Sequence, residues 1–558
     1  MKYEDRPWLT TFDPNVPRDV DLPVMPVYKI LTNSFENCPQ NVAIYYYGCE
    51  ILYSDLESYT NKFANSLASL GIKKGDRVAI FMDNCPQYII AFYSILKVGG
   101  IVVQTSPLLT ERELLVLLND SEPKGIVTLD YLLPRVLAVK DKSSLEFVVD
   151  ACLYDFLPVK PFPSKPFRIP DKPLPRPENI ENSYTFMSLL NQSCSFDPID
   201  INPHEDIAVI QYSSGTTGIP KGVMVSHYNI TSYASLLNVL DYKSEYGKEI
   251  YPVNLPISHN YGMYQTVVLP MIMAGKMLVM VHFHPDQCLE IVHQQRPTVF
   301  RAVPTILTIL AHHPKIKEYD LSSIRHWLTG GAPASKETVD IFQSVSGANV
   351  CEGYGLTKTT SGMVVNSLYG ETQDGIGMPF ITYDARVINS DTGEEVPFNE
   401  DGELLIKGPT VALGYWRRPE DTAAAFRDGW FYTGDMVRMS EEGVLKFVDR
   451  IKEMVIVSGF NVYPREVETV ISEHPAVKDV ACIGVPDTKK GEVVEVFIAL
   501  RPGMTVSEEE IISLCKEKLS PYKVPRYVGI MPELPKNASD KIMKKEIKRM
   551  RLEQIQGC

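Results

Sequence analysis

The chain has 558 residues, of which 44% are hydrophobic and 22% are charged, so it is long enough for several modules with large buried cores. Its formal net charge of −14, which no long basic run offsets, argues against nucleic acid and anionic membranes as partners. The ten cysteines are scattered without a C-x-x-C pair, which favours free thiols over a disulfide framework or a zinc site.

The beginning of the chain has none of the apolar character of a signal peptide. The most apolar long window, residues 261–283, contains Pro270, Gly275 and Lys276, which indicates a buried helix and strand and not a membrane span. These features predict a cytoplasmic protein without a transmembrane segment. They leave peripheral membrane contact open, together with the choice between a monomer and a homodimer.

The first clear elements alternate between helix and strand. They are a helix at 53–70, a strand at 76–82, a helix at 86–98 and a strand at 101–104. Similar alternation recurs at 205–240 and 265–310. Strands that alternate with helices imply βαβ units, and therefore a largely parallel sheet with helices on both faces.

The later part of the chain changes character twice. Between residues 377 and 443, short β-rich runs predict a small antiparallel or barrel-like unit. After Arg450 a compact α/β pattern begins, with elements at 455–457, 464–473, 480–484, 493–500 and 508–518. We therefore predict an α/β protein in which residues 1–449 form a large N-terminal domain of stacked mixed or parallel sheets with helices, together with the barrel-like unit. Residues 450–452 form a hinge, and residues 453–558 form a small mobile α+β lid.

Residues 212–222, Tyr-Ser-Ser-Gly-Thr-Thr-Gly-Ile-Pro-Lys-Gly, follow a strand-like run and have the chemistry of a polyphosphate-binding loop. Glycines allow backbone N–H groups to turn toward an anion, and hydroxyl groups and one lysine add further donors. The residues concerned are Ser213, Ser214, Gly215, Thr216, Thr217, Gly218, Lys221 and Gly222. The spacing differs from that of P-loop NTPases, and a flexible surface linker is the alternative interpretation.

Further motifs follow in chain order. They are Ser-His259-Asn-Tyr-Gly, Gly330-Gly-Ala-Pro, Glu352-Gly-Tyr-Gly-Leu-Thr, Trp430-Phe-Tyr-Thr-Gly-Asp, Arg450-Ile-Lys, Ser458-Gly-Phe-Asn-Val-Tyr-Pro and Pro535-Lys-Asn-Ala-Ser-Asp-Lys. In this order and spacing, from about residue 39 to about residue 549, the chain resembles the adenylate-forming superfamily of acyl-CoA synthetases, peptide-synthetase adenylation domains and luciferases. The segments 458–464 and 102–114 look most like fatty acyl-CoA ligases.

The resemblance implies a role for each motif. Residues 213–218 and Lys221 would hold the β- and γ-phosphates of ATP, and Thr357 would lie near the α-phosphate. The residues expected to flank the adenine are Gly331, Ala332, Pro333, Glu352, Gly353, Tyr354 and Gly355. Asp435 and Arg450 would bind the ribose, and Ser458, Gly459 and Phe460 would belong to the cofactor-binding segment.

Three residues have roles that compete with simpler interpretations. The resemblance implies that Lys541 bridges the carboxylate and the α-phosphate, although a solvated lysine in a basic tail is the alternative. His259 would gate the acyl or pyrophosphate site, or only cap a turn. Lys452 would be the hinge residue, or an ordinary surface lysine.

The chain departs from the family pattern at two positions. Lys358 replaces the glutamate that helps to bind Mg²⁺ in the family, and a lysine cannot ligate magnesium. The metal would then be held by the phosphates, by water and by the Ser213 hydroxyl, or Lys358 would replace part of its charge. Asp540 stands where the family has glycine, immediately before Lys541.

The expected activity is ATP- and Mg²⁺-dependent formation of an acyl-adenylate from a carboxylic acid, followed by transfer of the acyl group to coenzyme A. The apolar stretch 261–272 indicates a fatty, alicyclic or aromatic acid. An acyl-AMP ligase, a luciferase-like enzyme and a non-catalytic nucleotide-binding relative are the alternatives.

Overall fold

The computed structural model describes residues 2–157, 174, 176, 180–213, 220–332, 334–458, 460–487, 490–537 and 541–556. By internal compactness the chain divides into a larger unit, Lys2–Asp384 with Lys407–Phe431, and a smaller unit, Ala385–Ile406 with Tyr432–Cys558. Compactness does not report movement, so the hinge at residues 450–452 and the domain bounds built on it stay predictions.

The helices of the described residues follow in chain order. They are α1 (Tyr28–Asn37), α2 (Tyr53–Ser69), α3 (Pro86–Lys97), α4 (Glu111–Ser121), α5 (Leu133–Lys140), α6 (Phe186–Leu189), α7 (His227–Leu240), α8 (Asn260–Met263), α9 (Leu269–Ile272), α10 (Pro285–Gln295), α11 (Pro304–Ala311), α12 (Lys336–Ser346), α13 (Pro419–Ala425), α14 (Pro464–Ser472), α15 (Glu508–Lys518) and α16 (Lys544–Gln556).

The strands of the described residues are β1 (Val42–Tyr46), β2 (Cys49–Leu52), β3 (Arg77–Phe81), β4 (Ile101–Thr105), β5 (Gly125–Leu129), β6 (Phe147–Ala151), β7 (Ser183–Thr185), β8 (Ile207–Ser213), β9 (Lys221–Ser226), β10 (Ile250–Val253), β11 (Lys276–Val279), β12 (Phe300–Ala302), β13 (His326–Gly330), β14 (Asn349–Tyr354), β15 (Val364–Val365), β16 (Met378–Pro379), β17 (Asp384–Ile388), β18 (Asp401–Lys407), β19 (Gly414–Tyr415), β20 (Phe426–Arg427), β21 (Trp430–Met439), β22 (Leu445–Arg450), β23 (Val455–Val457), β24 (Phe460–Val462), β25 (Val477–Asp487), β26 (Gly491–Leu500) and β27 (Tyr527–Met531).

A mixed sheet with the strand order β19-β9-β8-β4-β3-β5-β6-β7 organises the first part of the larger unit. The strands from β8 to β7 pair in parallel, whereas β9 and β19 are added antiparallel. Strands β4, β5 and β6 are buried over their full length, as expected for parallel strands covered on both faces. The predicted helices at 53–70 and 86–98 are α2 and α3, so the βαβ interpretation is confirmed.

Two smaller sheets complete the described part of the larger unit. Their strand orders are β10-β11-β1-β2 and β12-β13-β14-β15-β16. Strands β12, β13 and β14 are parallel, so their carboxyl ends lie at one edge of the sheet, which is where ligands bind in α/β proteins. The candidate site residues after β13 and β14 lie at this edge.

The apolar window 261–283 folds as α8, a π-helical turn at Tyr264–Val268, α9 and then β11. The helix and strand predicted there are confirmed, but the π-helical turn in the middle was not predicted. Over the part of the chain that the structure describes, we find no helix with the length and apolar character needed to cross a bilayer.

The smaller unit combines an antiparallel hairpin with helices. Strands β25 and β26 pair antiparallel from Val477 opposite Leu500 to Asp487 opposite Gly491, and β27 adds to β26 in parallel. Antiparallel pairing of β21 with β22 places Asp435 opposite Arg450. The α+β character predicted for the end of the chain is confirmed. Antiparallel pairing predicted within 377–443 is present between β20 and β21.

Candidate active site

The phosphate-binding loop predicted at 213–218 extends from an antiparallel strand pair. Ser213, the last residue of β8, lies opposite Lys221, the first residue of β9, and Tyr212 lies opposite Gly222. The backbone of Ser213 is described but its side chain is not. Ser214, Gly215, Thr216, Thr217 and Gly218 lie outside the described residues, so their phosphate contacts, and the tentative role of the Ser213 hydroxyl, stay predictions.

Lys221 has a carboxylate partner that the sequence did not reveal. Its ammonium nitrogen lies 2.5 Å from Asp421 Oδ1, and the two side chains are 22% and 39% exposed. The same nitrogen lies 5.6 Å from the centre of the Tyr415 ring. Asp421 belongs to α13, 200 positions along the chain, and no local motif connects it with Lys221. An incoming triphosphate would therefore meet a lysine that already has a counter-charge.

The residues expected to flank the adenine meet at the carboxyl ends of β13 and β14. Gly330 pairs with Gly353, and Thr329 pairs with Glu352. The Glu352 carboxylate accepts a hydrogen bond of 2.8 Å from the backbone N–H of Ala334, which fixes the chain beyond Gly331 and Ala332. Gly331 has φ +87°, a conformation that favours glycine. Pro333 lies outside the described residues.

The segment after β14 turns back sharply. A Cβ atom added to Gly355 would lie 1.8 Å from the carbonyl oxygen of Ser361, so only glycine allows this close approach. A 3-10 turn, Thr357–Thr359, follows and carries the threonine expected near the α-phosphate. The nitrogen of Lys358 lies 5.9 Å from the centre of the Phe431 ring.

His259 caps the start of α8. Its Nδ1 accepts a hydrogen bond of 3.2 Å from the backbone N–H of Tyr261, and the histidine is exposed. The Tyr261 hydroxyl lies 3.1 Å from the carbonyl oxygens of Ala302 and Leu328, and burial raises the pKa of Tyr261. The turn that carries His259 is thereby attached to β12 and β13, beside the adenine-flanking residues.

The described residues do not fit a magnesium site built by the protein. Among them, no group of three or more His, Cys, Asp or Glu side chains is arranged to hold a metal ion. At the position where the resemblance implies a magnesium-binding glutamate, the chain has Lys358, whose ammonium group repels cations.

Asp435, Arg450 and Lys541 interact with one another within the smaller unit. Asp435 is buried, and its Oδ1 lies 3.6 Å from Nε of Arg450. Although much of Lys541 is exposed, withdrawal of its ammonium group from water lowers its pKa below the ordinary 10.5. The Arg450 charge lowers this pKa further, and the Asp435 charge opposes the shift. Three residues predicted from separate motifs thus form one group.

The backbone of Lys541 is hydrogen-bonded to Asn537, which precedes it in the chain, and Lys544, which follows it, forms ion pairs. Its backbone N–H donates to Asn537 Oδ1 at 3.0 Å, and its carbonyl oxygen accepts from the backbone N–H of Asn537 at 2.9 Å. Lys544, which begins α16, pairs with Glu468 at 2.8 Å and with Glu453 at 3.0 Å. Burial lowers the pKa of Lys544, but these two carboxylates outweigh it and the net shift is upward. Motif reasoning missed Asn537, Lys544 and Glu453.

The predicted hinge residue Lys452 lies in a 3-10 turn, Ile451–Glu453. Glu453, at the end of this turn, also lies 3.5 Å from Nη1 of Arg450, so the turn is connected to the group around Asp435. This geometry is compatible with a hinge but does not test movement.

The segment that begins at Ser458 borders a groove. Ser458 has φ +52°, and its N–H donates to the carbonyl oxygen of Lys490 at 2.7 Å, whereas Gly459 lies outside the described residues. Phe460 is 57% exposed and stacks on Tyr522 with a centroid distance of 4.8 Å. A groove of about 750 Å³ adjoins them, and its lining includes Lys490, Lys516, Tyr522 and Arg526.

Comparison with known proteins places these features in a family. The model of the AMP-binding enzymes matches residues 31–416, and the model of the AMP-binding enzyme C-terminal domain matches residues 466–541. A long-chain-fatty-acid–CoA ligase of Bacillus subtilis (strain 168) is 37% identical over 545 residues, which cover 97% of each chain. A feruloyl-CoA synthase of an Amycolatopsis species is 31% identical over 92% of this chain and 96% of its own.

The fold agrees with the sequence matches. The crystal structure of ATP-bound MatB from Rhodopseudomonas palustris superposes with a TM-score of 0.82 at 29% identity, covering 94% of this chain and 99% of MatB. The fold class and the family resemblance predicted from the motifs are therefore confirmed. The chain belongs to the AMP-binding enzymes, the adenylate-forming superfamily that its ordered motifs resemble.

Proposed function

We propose that the protein is an AMP-forming acid–CoA ligase, which uses ATP to convert a carboxylic acid into its CoA thioester. The observation that carries this proposal is the group formed by Lys541, Asp435 and Arg450. In this group the ammonium of Lys541 experiences the opposing charges of Arg450 and of the buried Asp435, whose carboxylate suits a ribose diol. The long-chain-fatty-acid–CoA ligases and feruloyl-CoA synthases among its relatives support the same reaction class.

In the first half-reaction, a carboxylate oxygen attacks the α-phosphorus of ATP. A new C–O–P linkage forms, and the bond from the α-phosphorus to the leaving pyrophosphate breaks. Negative charge spreads over the phosphoryl oxygens, so positioned cations and N–H donors supply most of the catalysis. We assign the α-phosphate to Thr357 and Lys541, and the β- and γ-phosphates to Lys221 with the loop 213–218.

In the second half-reaction, the thiol of coenzyme A attacks the carbonyl carbon of the acyl-adenylate. The C–S bond forms, AMP leaves with the electron pair of the C–O bond, and the thiol proton is released. The groove beside Phe460 supports this role, because Lys490 and Lys516 suit phosphate groups and Tyr522 offers an aromatic surface for an adenine, whereas Arg526 in the same groove already pairs with Asp487. We assign it to the nucleotide end of coenzyme A.

The acid is proposed to be apolar. The stretch that follows His259 is rich in apolar residues, and ligases for long-chain fatty acids and for ferulate are among the relatives, which favours a fatty, alicyclic or aromatic acid. Magnesium is proposed to arrive with ATP. A cytoplasmic location is part of the proposal, supported by the nine described cysteines, all of which are free.

The test is pyrophosphate release and thioester formation by the purified protein. ATP, Mg²⁺ and a panel of short, long, alicyclic and cinnamate-type acids are supplied with and without coenzyme A. We expect acid-dependent pyrophosphate release, and an acyl-CoA product with equivalent AMP when coenzyme A is present. Pyrophosphate release that never leads to a thioester would indicate an acyl-AMP ligase. ATP binding without turnover on any acid would indicate a non-catalytic relative.

A further inference from the structure

The turn that follows the expected α-phosphate threonine is strained. Thr360 has φ +64° and ψ −54°, although it is β-branched and fully buried. A β-branched residue does not adopt this conformation without cost, and such strain persists only where surrounding contacts impose it. Residues 357–360, which we call the α-phosphate turn, therefore depend on outside contacts for their shape.

Several of these contacts come from a neighbouring strand connection. The Thr360 hydroxyl donates to the carbonyl oxygen of Thr410 at 2.7 Å, and the Thr410 hydroxyl donates to the carbonyl oxygen of Thr359 at 3.1 Å. The Thr359 hydroxyl accepts a bond of 3.0 Å from the backbone N–H of Leu356. These bonds hold the turn from one side.

A further contact comes from the turn that carries His259. Asn260 is 4% exposed, and its Nδ2 donates to the carbonyl oxygen of Thr360 at 2.9 Å. Its Oδ1 accepts a bond of 2.9 Å from the backbone N–H of Tyr261. Both ends of the amide are therefore occupied, and its orientation is fixed. The Asn260 side chain joins two segments that are 100 residues apart in the chain.

We propose that Asn260 is a positioning residue that holds the α-phosphate turn against the His259 turn. This inference rests on the proposed function, in which Thr357 serves the nucleotide, and on the role that the resemblance implies for His259 at the acyl or pyrophosphate site. We expect a shift of the His259 turn to move the α-phosphate turn through the buried Asn260 amide, which donates its hydrogen bond to the Thr360 carbonyl oxygen.

The Asn260 amide matters energetically because the Thr360 carbonyl oxygen that it contacts belongs to a buried residue. Without the Asn260 amide, the Thr360 carbonyl oxygen loses a buried donor, and an unsatisfied buried acceptor costs more than an exposed one. The turn then relaxes toward an ordinary backbone conformation and carries Thr357 out of position. Replacing Thr360 by glycine lowers the cost of the strained conformation, so the turn needs Asn260 less.

The experiment is a double-mutant cycle with Asn260→Ala and Thr360→Gly. We expect Asn260→Ala to slow acid-dependent pyrophosphate release about tenfold in the parent. In the Thr360→Gly background we expect a loss of less than about threefold. Asn41→Ala is the matched control, because its Nδ2 also donates, at 2.9 Å, to the carbonyl oxygen of a residue with positive φ, Gly247. It should change the rate by less than about twofold.

Hydrogen–deuterium exchange of residues 353–363 gives a readout that does not depend on turnover. We expect exchange in this segment to rise in Asn260→Ala and to stay at the parent level in Asn41→Ala. Equal rate losses in both backgrounds, or unchanged exchange in Asn260→Ala, would overturn the proposal. A parent protein without adenylation activity would refute the proposed function, and the exchange experiment would still decide whether Asn260 holds the turn.

Discussion

Replacement of Lys541 by alanine tests the centre of the proposed mechanism. In the structure the Lys541 ammonium is partly withdrawn from water, and the charge of Arg450 repels it. The carboxylate of Asp435 attracts the Lys541 ammonium, but the same carboxylate also lies next to Arg450. The protonated form of Lys541 is therefore disfavoured in the folded protein, while the neighbouring Asp540 lies outside the described residues. Such a cation gains most when negative charge develops on the α-phosphate.

The expected loss of adenylation rate is that of removing one cation that stabilises the transition state. Removal of a single donor that stabilises transition-state charge costs about 2.7–4 kcal/mol, so Lys541→Ala should slow adenylation by about 10²–10³-fold. Thioester formation from a supplied acyl-adenylate should change much less, because the family resemblance implies that this step uses a different orientation of the predicted lid. The matched control is Lys545→Ala, an exposed lysine in the first turn of α16.

The pH dependence provides an independent check. Because the folded-state pKa of Lys541 is below the ordinary 10.5, the lysine loses its proton at a lower pH in the native protein than in the unfolded chain. Between these two pKa values the unfolded chain binds more protons, so this residue makes stability rise with pH there. Adenylation should fall over the same window, and in Lys541→Ala this alkaline limb should be absent.

The assay measures the two half-reactions separately. Pyrophosphate release reports adenylation, and thioester formation from synthetic acyl-adenylate reports acyl transfer. Equal losses in both steps, or a loss in Lys545→Ala of the same size, would refute the assigned role and indicate a general disturbance of the smaller unit.

The remaining predictions concern four other residues. Lys452→Pro fixes φ and removes an N–H, so one half-reaction should survive while overall turnover falls; unchanged thioester turnover would contradict the hinge. Lys358→Glu should make the rate more responsive to Mg²⁺ and weaken nucleotide binding when the metal is scarce, and superimposable magnesium titrations would disprove a phosphate-binding role. Asp421→Asn should lower the KM for ATP by up to about fivefold, because a partly exposed ion pair with Lys221 is worth at most about 1 kcal/mol; a raised KM would show that Asp421 positions the lysine instead. Lys516→Glu should raise the KM for coenzyme A without slowing pyrophosphate release, and an unchanged KM would remove the groove from the proposal.

Local patterns predicted much of the fold. The strand Val455–Val457 and the helix Glu508–Lys518 have the predicted bounds, because the first is a short β-branched run and the second begins after Ser507, which caps it. The π-helical turn at Tyr264–Val268 has the same apolar composition as an α-helix, so composition could not distinguish it.

The site was predicted less completely for a different reason. Motifs identify residues that act through their own chemistry, such as Lys541 and Asp435. They do not identify partners that are set by tertiary contacts. Asp421 lies 200 positions from Lys221, and Asn260 lies 100 positions from Thr360, so no sequence window contains either pair.

The pairing of β8 with β9 has a consequence for engineering the loop between them. Because Ser213 and Lys221 pair across two antiparallel strands, the register of the stem is set by the burial pattern of the strands together with the loop that joins them. Residues added or removed between positions 214 and 219 would alter the reach of the loop, and Lys221 would stay beside Asp421 only if the buried side chains of β9 kept their places. One residue inserted within β9 would instead rotate the following side chains to the opposite face of the sheet. A change in loop length therefore tests whether the burial pattern of β9 alone can hold Lys221 in place.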